Sequence, residues 1–201
     1  IGASGFKFNI TPNKLRSEGA PDEKPEYVTV DLEYNLRVNK KDASGNIVNP
    51  PLGWKDVAQL NFTNYEMRAA LIDAMKYWVL EANVDGYRCD YADGVPFEFW
   101  QDAIMSLNSI SNRNLLFLAE GTRADHYTAG FHLTYGWNFY TACKNVWSGT
   151  TSASLYNTHL SEYTNTPSGK HKIRFTTNHD ESAWDASPWS LFNGKAGADS
   201  S

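Results

Sequence analysis

Three carboxylate residues lie at the ends of short, mostly apolar segments of the sequence. Asp90, Glu120 and Asp180 are separated by intervals of 30 and 60 residues, which fit one and two strand–helix units. Ligands of parallel α/β folds bind beyond the carboxyl ends of the strands. The pattern therefore predicts that the three carboxylates meet at one edge of a sheet, where paired carboxyl groups can perform acid/base chemistry.

One reaction that needs two such groups is cleavage of a glycosidic bond. With retention of configuration, an ionised carboxylate attacks the sugar carbon and a protonated carboxyl, about 5–5.5 Å away, protonates the leaving oxygen; inversion needs about 6.5–9.5 Å. Glu120 follows five apolar or small residues, so burial and neighbouring acids are expected to raise its pKa. Arg88 lies on the same strand face as Asp90, where its guanidinium can orient that carboxylate and keep it ionised.

The elements that must position these residues alternate along the chain. Apolar residues recur at helical spacing in some segments and form short runs in others, and the run 115–119 is typical of a strand covered on both faces. Such alternation predicts βα units and a parallel sheet. Thr63 and Glu66 have capping-box spacing. The expected helices begin at Thr63, near Pro96 and near Leu155, and the expected strands cover residues 84–90, 115–119, 131–135 and 173–177.

Composition excludes several classes of protein. The 201 residues are 41% hydrophobic with a net charge of −5, which argues against disorder and against a nucleic-acid surface. No apolar run is long enough to span a membrane, and two cysteines cannot build a disulfide scaffold. The aromatic content of 14% fits a large core or a groove for sugars.

Four motifs together resemble the α-amylase family, glycoside hydrolase family 13. The segment 86–90 (GYRCD) resembles the family's G-x-R-x-D strand, 117–120 (FLAE) its acid/base strand, and 175–180 (FTTNHD) its terminal N-H-D motif. The looser stretch 56–61 is similar to the short motif after the third barrel strand. The motifs occur in family order and at family-like spacing.

This resemblance implies a (β/α)₈ TIM barrel and retaining hydrolysis of α-glucosidic bonds in starch-like glucans or malto-oligosaccharides. By motif, Asp90 matches the nucleophile and Glu120 the general acid/base. Asp180 matches the acid that binds ring hydroxyls and stabilises the transition state. Arg88 matches the helper beside the nucleophile, and His179 the residue that hydrogen-bonds the sugar.

The expected architecture is α/β, with about strands 4 to 7 of the barrel present. Residues 1–63 are expected to be an irregular, loop-rich lead into the barrel, and residues 64–201 to form the central βα units of one incomplete catalytic domain. The chain is expected to be a fragment of a larger enzyme, because such barrels need about 250 residues. Alone, it should show little or no turnover.

The chain departs from the family pattern in two places. No Asp-x-x-x-Asn-His segment precedes residue 56, and residues 91–94 (YADG) stand where many members carry a Lys-His pair, which leaves specificity open. The family chemistry requires no cofactor. A structural calcium ion often braces its active-site loop, but only Asn61 is a candidate ligand here, so metal is left open.

Several alternatives remain at this stage. A transglycosylase or α-glucosidase of the same family would use the same residues, and a catalytically silent carbohydrate-binding barrel would lack one of the three acids. A metal-dependent hydrolase could use His126, His179, Asp125 and Asp180, although no tight ligand motif joins them. Large glucans are met outside the cytoplasm, so a secreted, periplasmic or cell-surface location is expected.

Overall fold

The computed structural model describes residues 39–50, 54 and 58–192. Most of the segment expected to be irregular, including Asp56 of the 56–61 motif, therefore lies outside the described residues. The chain divides into two compact units, Ile1–Lys76 and Tyr77–Ser201. No helix in the described residues is both long and apolar enough to cross a membrane.

The first unit contains a tight turn and the beginning of a long helix. Lys41 pairs with Ile47 in an antiparallel bridge, and between them Asp42 Oδ1 accepts hydrogen bonds from the backbone of Ser44 and Asn46, each at 2.9 Å. Gly45 has φ +85°, a conformation that glycine adopts without steric cost. Residues 42–46 therefore form a tight turn.

Helix α1 (Tyr65–Glu81) begins later than its sequence pattern predicts. Asn64 Oδ1 accepts a hydrogen bond from the Met67 N–H at 3.1 Å, so Asn64 is the capping residue. The capping box of Thr63 and Glu66 is wrong, because the Thr63 hydroxyl instead donates to Asn61 Oδ1 at 2.6 Å in the preceding turn.

The second unit contains a parallel four-stranded sheet, as the βα alternation predicts. The strands lie side by side in chain order, and one or more helices follow each strand. The strands are β1 (Gly86–Cys89), β2 (Leu116–Ala119), β3 (Leu133–Tyr135) and β4 (His171–Ile173). The helices are α2 (Phe97–Asn108), α3 (Asp125–Ala129), α4 (Trp137–Trp147), α5 (Ala153–Thr164), α6 (His179–Trp184) and α7 (Pro188–Phe192), with a 3₁₀ turn over Ala92–Gly94.

The register separates two faces of this sheet. Cys89 pairs with Ala119 and Tyr87 with Phe117, and Cys89, Phe117 and Ala119 are buried on one face. Arg88 and Leu118 occupy the opposite face, which we call the open face. Leu116, also on the open face, is 53% exposed. The expectation that strand 115–119 is covered on both faces is therefore wrong at Leu116.

Gly86 in the first motif is required by the close approach of two strands. A Cβ atom built at Gly86 would lie 1.9 Å from the carbonyl oxygen of Leu116, a distance that no real side chain tolerates. Any larger residue would therefore force β1 away from β2 and disturb the register that aligns Arg88 with Leu118.

Strand β4 is shorter than predicted at its carboxyl end, and this changes the setting of Asp180. Ile173 pairs with Tyr135, the last residue of β3, after which the chain enters α4. Residues 174–177 therefore have no strand of β3 to pair with and continue as irregular backbone. Asp180 does not end a strand, as the sequence pattern suggests, but lies in the first turn of helix α6.

Candidate active site

The carboxyl ends of β1 and β2 hold a three-residue charged cluster on the open face. Arg88 Nη1 donates to Asp90 Oδ1 at 2.5 Å. Its other terminal nitrogen, Nη2, lies 2.7 Å from Glu120 Oε1. This second contact is an ion pair without the alignment of a hydrogen bond, because Nη2 is a buried nitrogen with no hydrogen-bond partner. One guanidinium therefore bridges the two carboxylates.

A tyrosine two strands away fixes the Arg88 side chain. Arg88 Nε donates to the Tyr135 hydroxyl at 3.2 Å, and Tyr135 lies on the open face because Leu133, two residues earlier, pairs with Leu118. Burial lowers the pKa of Arg88, but the Tyr135 hydroxyl and the carboxylates of Glu120 and Asp90 outweigh it and raise the pKa overall. Arg88 is thus a permanent positive charge.

Glu120 has the environment of a carboxyl group that can hold a proton. Its side chain is 14% exposed, and burial raises its pKa above the ordinary value. The Tyr91 N–H, which donates to Oε2 at 2.9 Å, and the Arg88 charge lower the pKa, whereas the interaction with Asp90 raises it again. The net direction is upward, as the sequence suggests.

An unusual backbone conformation aims the Tyr91 N–H at Glu120. Tyr91 has φ 44° and ψ 46°, the left-handed region that costs a non-glycine residue about 1 kcal/mol or more. Its ring lies over Gly94, where a Cβ atom would come within 2.1 Å of the ring. Such strain is typical of functional segments, and here it makes a hydrogen bond to the buried carboxylate.

A third carboxylate, that of Asp93, joins the two loops that follow β1 and β2. Its oxygens accept hydrogen bonds from the backbone N–H of Thr122 at 3.1 and 3.2 Å, and Oδ1 lies 2.6 Å from His126 Nε2. Burial raises the pKa of Asp93, but His126 and the backbone donors outweigh it and lower the pKa overall. In the sequence, Asp93 is marked only as part of the segment 91–94 that departs from the family pattern.

Asp180 and His179 lie apart from this cluster. His179 Nε2 is 3.4 Å from Asp180 Oδ2, and the two side chains are 70% and 43% exposed. Within the described residues, no hydrogen bond or ion pair joins either of them to Arg88, Asp90 or Glu120. The structure therefore brings three of the five predicted site residues into direct contact and places the other two on α6.

Polar contacts at both ends hold helix α6 in place. Asn178 Oδ1 caps the helix by accepting from the Glu181 N–H at 2.8 Å. At the other end, Asp185 Oδ2 lies 2.5 Å from Lys144 Nζ on α4. Phe175 packs between the two regions, with its ring centroid 5.4 Å from that of Tyr135. An aromatic contact thus connects the Arg88 cluster with the segment that leads to Asp180.

The residues considered for a metal-dependent hydrolase do not form a common site. His126 is wholly buried against Asp93, and Asp125 makes paired hydrogen bonds to Arg123 at 2.8 and 2.9 Å. No group of three potential metal ligands occurs among the described residues. Asn61 Oδ1 already accepts hydrogen bonds from the N–H and the hydroxyl of Thr63, so it does not fit a calcium ligand.

The arrangement provides one carboxyl group that can be protonated beside one that is oriented by a fixed cation. Glu120 is buried with a raised pKa, and Asp90 receives a charge-assisted hydrogen bond from Arg88. Two carboxyl groups in such different environments can divide the roles of proton donor and nucleophile.

Comparisons with known proteins point to amylases. No family model matches the chain. It is 37% identical over 57 residues to alpha-amylase 2 of Dictyoglomus thermophilum, a stretch covering 28% of this chain and 10% of that protein. Among solved structures, a maltogenic alpha-amylase of Thermotoga neapolitana has TM-score 0.64 and 30% identity, with 74% of this chain and 34% of that chain covered. An alpha-amylase of Lactobacillus plantarum has TM-score 0.66 and 26% identity, with 82% and 43% covered.

These comparisons confirm the resemblance to the α-amylase family. They also confirm the fold as part of a TIM barrel, because the solved neighbours are amylase barrels. The chain spans between 34% and 43% of the two solved amylase chains and 10% of the curated relative.

Proposed function

We propose that the protein containing this chain, which resembles the central part of an α-amylase-family barrel, hydrolyses α-glucosidic bonds of starch-like glucans or malto-oligosaccharides with retention of configuration. The observation that carries the proposal is the Arg88 bridge between Asp90 and Glu120. It is supported by amylase relatives in both comparisons.

In the first step, Asp90 attacks the anomeric carbon of the bound glucose unit. A bond forms between an Asp90 oxygen and that carbon, while the bond from the carbon to the glycosidic oxygen breaks. Glu120, whose pKa is raised by burial, acts as the acid and transfers a proton to the departing oxygen. The products of the step are a glycosyl ester on Asp90 and a released sugar hydroxyl.

In the second step, a water molecule cleaves the glycosyl ester, and the same two residues take part. Glu120, now ionised, takes a proton from a water molecule, whose oxygen attacks the anomeric carbon from the side that the first sugar left. The ester bond to Asp90 breaks, and Glu120 is protonated again. Two inversions give net retention. A sugar hydroxyl in place of water would give transglycosylation by the same residues.

Arg88 serves both steps as a fixed charge. Its hydrogen bond orients the Asp90 oxygen for attack, and the raised pKa of Arg88 means that the guanidinium stays charged at any working pH. We propose that Asp180 and His179, by the family motif, bind hydroxyls of the same glucose unit. Their exposed side chains on α6 are free to take a ligand.

The test uses the natural protein that contains this chain and follows the anomeric protons of products by NMR during cleavage of maltoheptaose. The new reducing end should appear first as the α-anomer and should equilibrate later. Asp90→Asn serves as the negative control for contaminating hydrolase. First appearance of the β-anomer would refute retention and would indicate an inverting hydrolase. No cleavage of any α-glucan by the wild-type protein would refute the proposal and would favour a carbohydrate-binding barrel.

A further inference from the structure

The loops that follow β1 and β2 are cross-linked through the carboxylate of Asp93. Asp93 lies in the 3₁₀ turn after β1, and its side chain crosses to the loop after β2. There it accepts hydrogen bonds from the backbone N–H groups of Thr122 and Arg123 at 3.1–3.3 Å. These donors are the second and third residues after Glu120, so Asp93 fixes the backbone on which the Glu120 side chain is mounted.

The site around Asp93 is closely fitted. His126, which is 0% exposed, lies 2.6 Å from Asp93 Oδ1. A Cβ atom at Gly121 would be 2.4 Å from the same oxygen and 2.8 Å from His126 Nε2. The residue directly after Glu120 must therefore be glycine for the carboxylate to reach its donors.

The loop after β1 also donates hydrogen bonds to Glu120. The Tyr91 N–H donates to the Glu120 side chain at 2.9 Å, and the Ala92 N–H donates to the Glu120 backbone carbonyl at 3.0 Å. Trp100 Nε1 supports the same turn by donating to the Ala92 carbonyl at 3.1 Å. The backbone of each loop thus donates hydrogen bonds to a carboxylate of the other loop: Asp93 accepts from the loop after β2, and Glu120 accepts from the loop after β1.

We propose that Asp93 is a positioning residue that fixes Glu120 in the orientation from which it protonates the leaving oxygen. The proposal rests on the proposed function, because it assigns Glu120 the role of general acid. Asp93 touches neither substrate nor reacting atoms in this account. It acts through the backbone of the loop after β2 and through the turn that carries the Tyr91 N–H.

A defect in proton donation can be separated from a general loss of structure by the leaving group. An alcohol leaves only if it receives a proton, whereas fluoride leaves as an anion and needs none. Misplacing Glu120 should therefore slow cleavage of an oligosaccharide and spare cleavage of a glycosyl fluoride. General damage to the site would slow both reactions alike.

The experiment measures kcat/KM of the natural protein for maltotriose and for α-maltosyl fluoride. Asp93→Ala should lower kcat/KM for maltotriose about 10- to 100-fold, a part of what general acid catalysis supplies. The value for α-maltosyl fluoride should fall less than about 3-fold. Asp93→Asn keeps an acceptor oxygen for the backbone donors and should show the same selectivity with a smaller loss, so it tests the proposal if the alanine variant does not fold.

Two reference variants separate failure of this inference from failure of the proposed function. Glu120→Gln should show the largest selective loss, and Asp73→Ala, a 75% exposed carboxylate on α1, should show none. Equal losses on both substrates for the Asp93 variants, or no loss, would overturn the positioning role. A wild-type protein inactive on both substrates, or a Glu120→Gln variant without selectivity, would overturn the proposed function and this inference with it.

Discussion

The two ends of the sheet hold their acidic residues in different ways. At β1 and β2, Asp90 and Glu120 lie one residue beyond their strands and share the Arg88 guanidinium, and backbone donors of the neighbouring loop fix Glu120. After β4, six residues separate Ile173 from Asp180, which lies on α6 with 43% of its side chain exposed.

The difference shows which positions depend on the sheet and which depend on helix packing. A carboxylate that directly follows a strand inherits its direction from the strand register. Asp180 instead depends on the Asn178 cap, on the contact between Asp185 and Lys144, and on the packing of Phe175. The β1–β2 end is thus fixed by contacts within the sheet and its loops, whereas the Asp180 end presents two exposed side chains, those of His179 and Asp180.

The largest loss of activity should come from a substitution at the β1–β2 end of the sheet. Asp90→Asn should lower kcat on malto-oligosaccharides by about 10⁴-fold or more, as loss of a nucleophile does in other covalent mechanisms. Folding should be retained, because the amide oxygen can still accept from Arg88, and circular dichroism would check this. Activity within 10-fold of wild type would show that Asp90 is not the attacking group.

The exposed end should give a smaller but still large effect. Asp180→Asn should lower kcat by about 10²–10³-fold, as expected for a group that stabilises transition-state charge, with folding unchanged because the side chain is exposed. Steady-state kinetics on maltoheptaose would measure it. A change of less than 3-fold would mean that the α6 carboxylate takes no part, and the two ends would then differ in function as well as in geometry.

Replacing Arg88, whose guanidinium bridges Asp90 and Glu120, should change the pH dependence of kcat/KM. Glu120 must be protonated to act, so activity is lost as pH rises through its pKa. The Arg88 charge lowers that pKa, hence Arg88→Gln should move the alkaline limb of kcat/KM to higher pH and reduce its maximum about 10- to 100-fold.

Arg88→Lys is the matched control for this profile. It keeps a positive charge near both carboxylates but loses the fork that binds them together. Its alkaline limb should stay closer to that of wild type than the limb of Arg88→Gln. If the alkaline limb of kcat/KM moved to lower pH in Arg88→Gln, this would contradict the conclusion that the Arg88 charge lowers the pKa of Glu120.

The smallest effect should come from loosening α6. Asp185→Asn removes the charged contact with Lys144, which is partly exposed and is expected to contribute about 1 kcal/mol or less. The KM for maltoheptaose should rise about 2- to 5-fold while the pH profile stays unchanged, because Glu120 is not touched. A shifted alkaline limb would show that the two ends of the sheet are coupled more tightly than the contacts indicate.

The sequence predicts the β1–β2 end well because that end follows from local rules. Alternation along a strand puts Arg88 and Asp90 on one face, and the parallel order of neighbouring strands brings Glu120 beside them. The segment 173–177 was harder to predict, because its residues favour a strand but the partner β3 ends at Tyr135. Strand length there is set by the neighbour and not by the segment itself.

Residues that act across long distances in sequence could not be predicted from the pattern. Tyr135 reaches Arg88 only because of the register across two strand pairs. The contact of Asp93 with His126 joins the turn after β1 to helix α3, across 33 positions of sequence, and no local motif predicts it. The contact requires a glycine at position 121, because a Cβ atom there would clash with both side chains.

The measurement that tests the central claim most directly is to trap the proposed glycosyl-enzyme. In Glu120→Gln, α-maltosyl fluoride can still react with Asp90, since fluoride needs no proton, but water attack lacks its base, so the ester should accumulate. Peptide mass spectrometry of the quenched reaction should find one maltosyl group on the peptide containing Asp90. A maltosyl group on another residue, or turnover of the fluoride with no adduct and an inverted product, would contradict the account.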